Sequence, residues 1–280
     1  MAYKNFIPEL WAEKIQRENE KFLVMAQLCN REYEGKIKKV GDTVHILGIG
    51  SPNIGDYTPG TPINGPETLE DMSVPLRIDK AKYFNVMVDD IDRRQAVEGM
   101  LETVLQEASE GLATQEDSDI SAKVAKEVKS AQKITVASCT DSGTTSARYF
   151  LQQAKTKLFK AGVKKNTEIV AVVSPEFLER VEREVEKLDT DNSGIVTNGF
   201  VGKTAGINLY MSNNVYKTSS DVEQILVMTR RAIAHASQIN EVKSYSPEDY
   251  FADAVKGLNV YGTKLVRPKE LVAIEVSEYA

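Results

Sequence analysis

Residues 41–75 constrain this chain more than any other stretch, because little in their own composition can order them. They hold six of the seventeen glycines and five of the nine prolines. Prolines remove backbone donors, and glycines raise the entropy lost on ordering. Too few apolar side chains are present to offset that cost. Structureless loops longer than about 15 residues are uncommon inside compact domains and tend to be functional or disordered. Both flanks nevertheless read as strand: Thr43 to Leu47 leads out, and Val74 to Val88 returns, with Val74, Leu76 and Ile78 alternating. A two-stranded arm of that length needs another surface to lie on, most economically a neighbouring copy. The chain reads as a building block.

At 280 residues the chain can bury a substantial core, as one large domain or two small ones. It has 41 acidic and 35 basic residues and a net charge of −6, which argues against a surface built to neutralise phosphates. That balance still leaves room for a local basic patch. Cys29 and Cys139 are far apart and form no CxxC, so neither a disulfide framework nor a zinc site is indicated. This usage suits a reducing cytoplasm. No apolar run approaches 18 residues, and the N-terminus lacks the apolar core of a signal peptide. Neither secretion by that route nor a membrane span is expected.

The first 28 residues read as an arm carrying a short helix, with Pro8 suited to its first turn and Trp11 and Ile15 one turn apart. A helix docked on its own core and a swapped arm fit that pattern equally. After the loop the period changes. Asp89, Asp90 and Asp92 offer caps, and Val97, Leu101, Val104, Leu105, Ala108 and Leu112 mark one helical face. Ile120, Val124 and Val128 continue it, so a helix of about 55 Å is expected from near 92 to 129. Gly99 and Gly111 weaken that helix, and Asp117-Ser118-Asp119 is a candidate break.

The next part is α/β. A strand is expected over 133–137, an amphipathic helix over 145–161 with Gly162 as its C-cap, and a buried strand over 168–173. Ser174-Pro175 opens a helix whose inner face is Phe177, Leu178, Val181, Val185 and Leu188. Further strands are expected at 195–212, 222–229 and 259–276, the last with a turn at Arg267-Pro268.

Catalytic motifs are incomplete. Gly202-Lys203-Thr204 resembles a phosphate-binding loop, but the glycine that motif needs five positions earlier is Thr197, and strand-like sequence follows. A glycine-rich β-turn is the simpler reading. Asp189 to Gly194 matches the first half of a calcium loop, yet the twelfth position is Phe200 where a bidentate Glu belongs. An acidic turn accounts for it. His45 and His235 have no HxxxH or HExxH company and read as surface or satisfied polar residues. No catalytic, cofactor-binding or metal-binding residues are assigned, and no cofactor is expected.

The order of segments carries more than any motif. Arm, glycine/proline-rich β-loop, long helix, α/β domain and terminal strands together resemble the tailed-phage major capsid proteins of the Hong Kong 97 fold. Phe6-Ile7-Pro8-Glu9-Leu10-Trp11 resembles the opening of the arm in one branch of that family. Residues 35–46, with Val40-Gly41-Asp42-Thr43-Val44, resemble the start of its extended loop. Lys80 to Phe84 and Val88 to Asp92 resemble the passage from that loop into the spine helix, and 198–213 the glycine-spaced strand pair of the axial domain.

The resemblance implies an α+β chain divided into an N-terminal arm (1–35), extended β-loop (36–88), spine helix and peripheral domain (89–143), axial domain (144–234) and a return to the peripheral domain (235–280). It implies a structural protein of the virion, assembled in the host cytoplasm. Hexamers and pentamers would close into an icosahedral shell that encloses double-stranded DNA without sequence-specific binding. Arm and extended loop would contact neighbouring copies through Trp11, Ile54, Tyr57, Ile63 and Leu69. A separate scaffold, a portal and decoration proteins are implied partners, and no membrane is. Two departures stand out. The chain begins almost directly at the arm, so the scaffold is expected to be separate or unnecessary. Residues 41–75 contain no lysine, so a non-covalent shell is expected. The rival readings are an encapsulin-like nanocompartment shell and, less well supported, a nucleotide-binding enzyme.

Overall fold

The computed structural model describes residues 22–33, 41–49, 71–89, 100–140, 143–184, 200–218, 220–245 and 252–279. Its centre is a six-stranded mixed sheet in the order β4 (Lys133–Val136), β11 (Leu271–Val276), β8 (Glu223–Thr229), β5 (Ile169–Val173), β7 (Ile207–Met211) and β6 (Phe200–Thr204). Both faces of β5 are covered, which explains its unbroken apolar run. Ile169, Ala171 and Val173 pack under helices α3 (Ala147–Lys160) and α4 (Pro175–Glu184). Val170 and Val172 belong to the opposite layer, with the short helix α1 (Met25–Leu28) and the long helix α2 (Met100–Glu127).

Local signals place the helix ends of the first layer. Ser146 caps α3 by accepting from the Tyr149 amide at 3.2 Å. At the other end Gly162 (φ +98°) lets the Gly162 and Val163 amides turn back onto Phe159 and Leu158, closing a Schellman motif. Ser174 Oγ accepts from the Phe177 amide to start α4, and Phe177 and Val181 are buried as the periodicity requires. Val185 and Leu188 lie outside the described residues.

Helix α2 runs 28 residues, about 42 Å, and stays continuous through Asp117-Ser118-Asp119. That corrects the expected break: each carboxylate has tertiary partners, so neither competes for the helix backbone. Asp119 accepts from the Tyr261 hydroxyl at 2.6 Å and pairs with Lys80 and Lys82. The helix end at 127 falls two residues short of expectation, and its expected start near 92 lies outside the described residues.

Helix α2 lies on a second, antiparallel sheet, β3 (Lys80–Asp89), β10 (Ala252–Leu265) and β9 (Ile233–Tyr245). Strand β9 was missed in sequence, as was the first half of β10. In β9 the buried apolar positions near its start are Ile233, Ala234 and Ala236, whose small side chains give little periodic signal. The third sheet is a hairpin, β1 (Thr43–Ile49) and β2 (Asp71–Arg77), paired throughout from Thr43 opposite Arg77 to Ile49 opposite Asp71.

Gly202-Lys203-Thr204 sits on β6 and leads into a tight turn, as the simpler reading requires. Ala205 (φ 51°) and Gly206 (φ 76°) both lie in the left-handed region, the signature of a two-residue type I′ hairpin. Lys155 Nζ donates to the Ala205 carbonyl and steadies the turn from α3. An alanine in that conformation carries strain, so Ala205→Gly is expected to stabilise the chain by about 1 kcal/mol. An unchanged or lower urea midpoint would refute that.

Candidate assembly surface

The hairpin's root is fixed by reciprocal backbone bonds. The Gly41 amide donates to the Ile78 carbonyl at 2.9 Å, and the Ile78 amide to the Asp42 carbonyl at 3.0 Å. One face of the hairpin is apolar: Val44, Ile46, Leu76 and Ile78 are buried against Ala234, Ala236 and Val260 of β9 and β10. On the other face His45 is exposed, its Nδ1 3.0 Å from Ser73 Oγ. The hairpin thus stands on the second sheet at its base and runs outward for seven residue pairs, about 23 Å. A lone two-stranded ribbon is marginally stable in water, so the outward part calls for a further surface.

The second sheet offers exposed apolar side chains that sequence reasoning did not single out. Tyr83 is 78% exposed and Met87 49%, both on the face of β3 turned away from α2. Beside them Tyr245 shares hydrogen bonds of 3.0 and 3.1 Å with Asn85, and Lys256 Nζ lies 4.8 Å from the Tyr245 ring centroid. The signal was present: in Tyr83-Phe84-Asn85-Val86-Met87 both alternating faces carry apolar residues, more than one buried face requires. The predicted contact residues Trp11, Ile54, Tyr57, Ile63 and Leu69 lie outside the described residues, as does Asp189 to Gly194.

Titratable groups inside the protein hold elements together. His235 is fully buried, with Nε2 2.7 Å from Glu116 Oε1 and Nδ1 2.9 Å from Thr263 Oγ1. Asn259 donates to the other Glu116 oxygen at 2.7 Å. This is the satisfied histidine the sequence suggested, sealed from solvent and joining α2 to β9 and β10. A second knot joins Glu223 to Ser174, Tyr279 and Lys217. Cys29 and Cys139 are free and buried, and burial pushes the Cys29 thiol well up. Among the described residues no group of three or more His, Cys, Asp or Glu could hold a metal ion. None of their helices is long and apolar enough to cross a membrane.

Asp117 is a second buried carboxylate of α2. It accepts from the backbone amides of Val24, Met25 and Ala26 at 2.7, 3.1 and 3.1 Å, pinning the start of α1 to α2. Burial pushes its pKa up from 3.8 to about 6, against the opposing pull of those three amides. A carboxyl raised on folding adds stability that is fully present below its unfolded pKa and lost as pH rises through its folded one. Asp117→Asn does not titrate. Between pH 4 and 7.5 the stability difference is therefore expected to shift in favour of the variant, by up to about 3 kcal/mol. Parallel pH profiles of the urea midpoints would refute this.

No protein-family model matches the chain, and no curated protein does. Solved structures do. One from Mycobacterium phage Che8 is 31% identical over 98% of both chains, with a TM-score of 0.67. The capsid of Ralstonia phage GP4 is 15% identical, covering 91% of this chain and 89% of that one, with a TM-score of 0.65. The holo-SrpI encapsulin complex from Synechococcus elongatus shares the fold at 12% identity, covering 85% and 82%, with a TM-score of 0.59. The long helix laid on one sheet, the outstanding hairpin and the sandwiched six-stranded sheet define a shell-forming fold. The chain belongs to the tailed-bacteriophage major capsid proteins of the Hong Kong 97 fold. It is a structural protein of the virion capsid.

Proposed function

We propose that copies of this chain gather as hexamers and pentamers and close into an icosahedral shell around viral double-stranded DNA. The observation that carries this reading is the β1–β2 hairpin, whose apolar base is buried on its own second sheet and whose paired strands continue beyond that base. The division follows the resemblance: arm 1–35, extended loop 36–88, spine and peripheral region 89–143, axial region 144–234, and return 235–280. Strands β4 and β11 tie the outer segments into the axial sheet. Trp11, Ile54, Tyr57, Ile63 and Leu69 supply apolar contacts between copies. The interior holds DNA without reading its sequence, in keeping with a net charge of −6. A scaffold, a portal and decoration proteins are further partners.

Expression of the chain, alone and then with its virion partners, followed by negative-stain electron microscopy, tests the reading. Closed shells or hexameric rings are the expected product. Monomers under both conditions would overturn it. Shells that copurify with a protein cargo in place of DNA would favour a nanocompartment instead.

A further inference from the structure

The charge of this chain is unevenly placed. Residues 41–75 carry Asp42, Asp56, Glu67, Glu70 and Asp71 and no Lys or Arg, so this outer part of the extended loop is acidic, while the lysines and arginine of 36–88 all lie at its two ends. The opposite charge gathers in one cleft of roughly 1070 Å³, where turns from several elements meet. Its cations are Arg31, Lys129, Arg230, Arg231, Arg267 and Lys269, against the carboxylates of Glu32 and Glu270. Arg230 is committed to Glu168 at 3.0 Å, and Arg267 to Glu270 at 3.0 Å. Lys129 and Lys269 make no ion pair among the described residues, and Arg231 acts on Glu270 only at longer range. The floor is aliphatic, with Ile46, Val74, Val163, Ala234 and Val266.

We propose that this cleft is the seat for the acidic segment Glu67 to Asp71 of a neighbouring copy's extended loop; the proposal rests on the shell reading above. A cationic rim over an aliphatic floor fits a peptide in which carboxylates flank a leucine, here Glu67, Leu69 and Glu70. Phosphodiester backbone would leave that floor uncovered. Ile46 and Val74 line the cleft at one edge, and the paired strands run on from there to Ile49 and Asp71. A second copy is the nearest source of a complementary strand, and repeating this contact around a ring joins each subunit to the next. The attraction sets register and rate of docking, and it weakens with salt.

Two measurements test this. In wild-type shells assembled from isotopically light and heavy copies, zero-length carbodiimide coupling is expected to join Lys129 or Lys269 of one copy to Glu67, Glu70 or Asp71 of another. Links confined to one copy, or none at these residues, overturn the proposal. Second, the pairs Arg231→Glu/Lys269→Glu and Glu67→Lys/Glu70→Lys are each expected to cut the yield of closed shells more than about tenfold, because like charges then face each other. Combining all four reversals is expected to restore it to within about threefold of wild type. Undiminished assembly in either pair, or no recovery in the combination, overturns the seat while leaving the shell reading intact. Cleft lysines protected from modification only in DNA-filled particles would assign the cleft to phosphate and overturn it too. Wild-type chain that never assembles would remove the shell reading itself.

Discussion

Gly262→Ala is expected to abolish shell formation while the six-stranded sheet still folds. A Cβ at position 262 would lie 2.3 Å from the Arg77 carbonyl oxygen and 3.0 Å from the Ile78 Cα. Both are backbone atoms at the root of the hairpin, so no side chain can swing aside. The root must lift off β10, breaking the apolar seal between Leu76, Ile78 and Val260. Overpacking usually costs about 1–3 kcal/mol, and a clash with main chain belongs at the upper end. The effect on assembly should exceed the effect on stability, because a tilt at the root moves the far end of a 23 Å ribbon much further. Wild-type shell yield from this variant would show that the hairpin's seat does not set its aim.

Glu116→Ala should destabilise the chain by about 4 kcal/mol, the second large effect. It removes the one acceptor shared by His235 and Asn259 and leaves both donors buried without a partner. For a chain of this size the melting temperature should fall by about 7 °C. Glu116→Gln keeps the volume and one acceptor oxygen, so it should cost less than half as much. Adding His235→Ala to Glu116→Ala should cost less than the two single changes together, since one network is lost only once. Additive losses, or a melting temperature within about 2 °C of wild type for Glu116→Ala, would mean the network contributes little.

The elements most legible in sequence were those whose signal is local. Gly162 and Ser174-Pro175 act through neighbours within four residues, and each fell where its spacing placed it. The cap at Ser146 is as local, but the expected helix start at 145 runs past it. The loop flanks were legible because strand alternation and glycine/proline density are both properties of a short window. What sequence could not reach depends on partners far along the chain. Asp117 reads as a helix breaker until the amides of residues 24 to 26, more than 90 positions away, occupy it. Strand β9 was lost because alanines report burial weakly. On the assembly surface, the apolar surplus of β3 was in the sequence, but the reason to weigh it appears only once α2 is seen covering the other face. The cleft's cations come from several turns, and only the fold gathers them.

The position of β11 sets a clock. It lies between β4 and β8, running parallel to the first and antiparallel to the second, so β4 joins the main sheet only through it. Among the described strands it is the last to be synthesised. A nascent chain still on the ribosome therefore holds a sheet with a gap and an unpaired inner edge, and the subunit is unfinished until Leu271 to Val276 emerges. Interrupted translation is then expected to leave chains in which β4 has no partner strand and the six-stranded sheet is incomplete. A ribosome-stalled chain ending before Leu271 should show β4 unprotected in hydrogen exchange, and protection there would sink the idea.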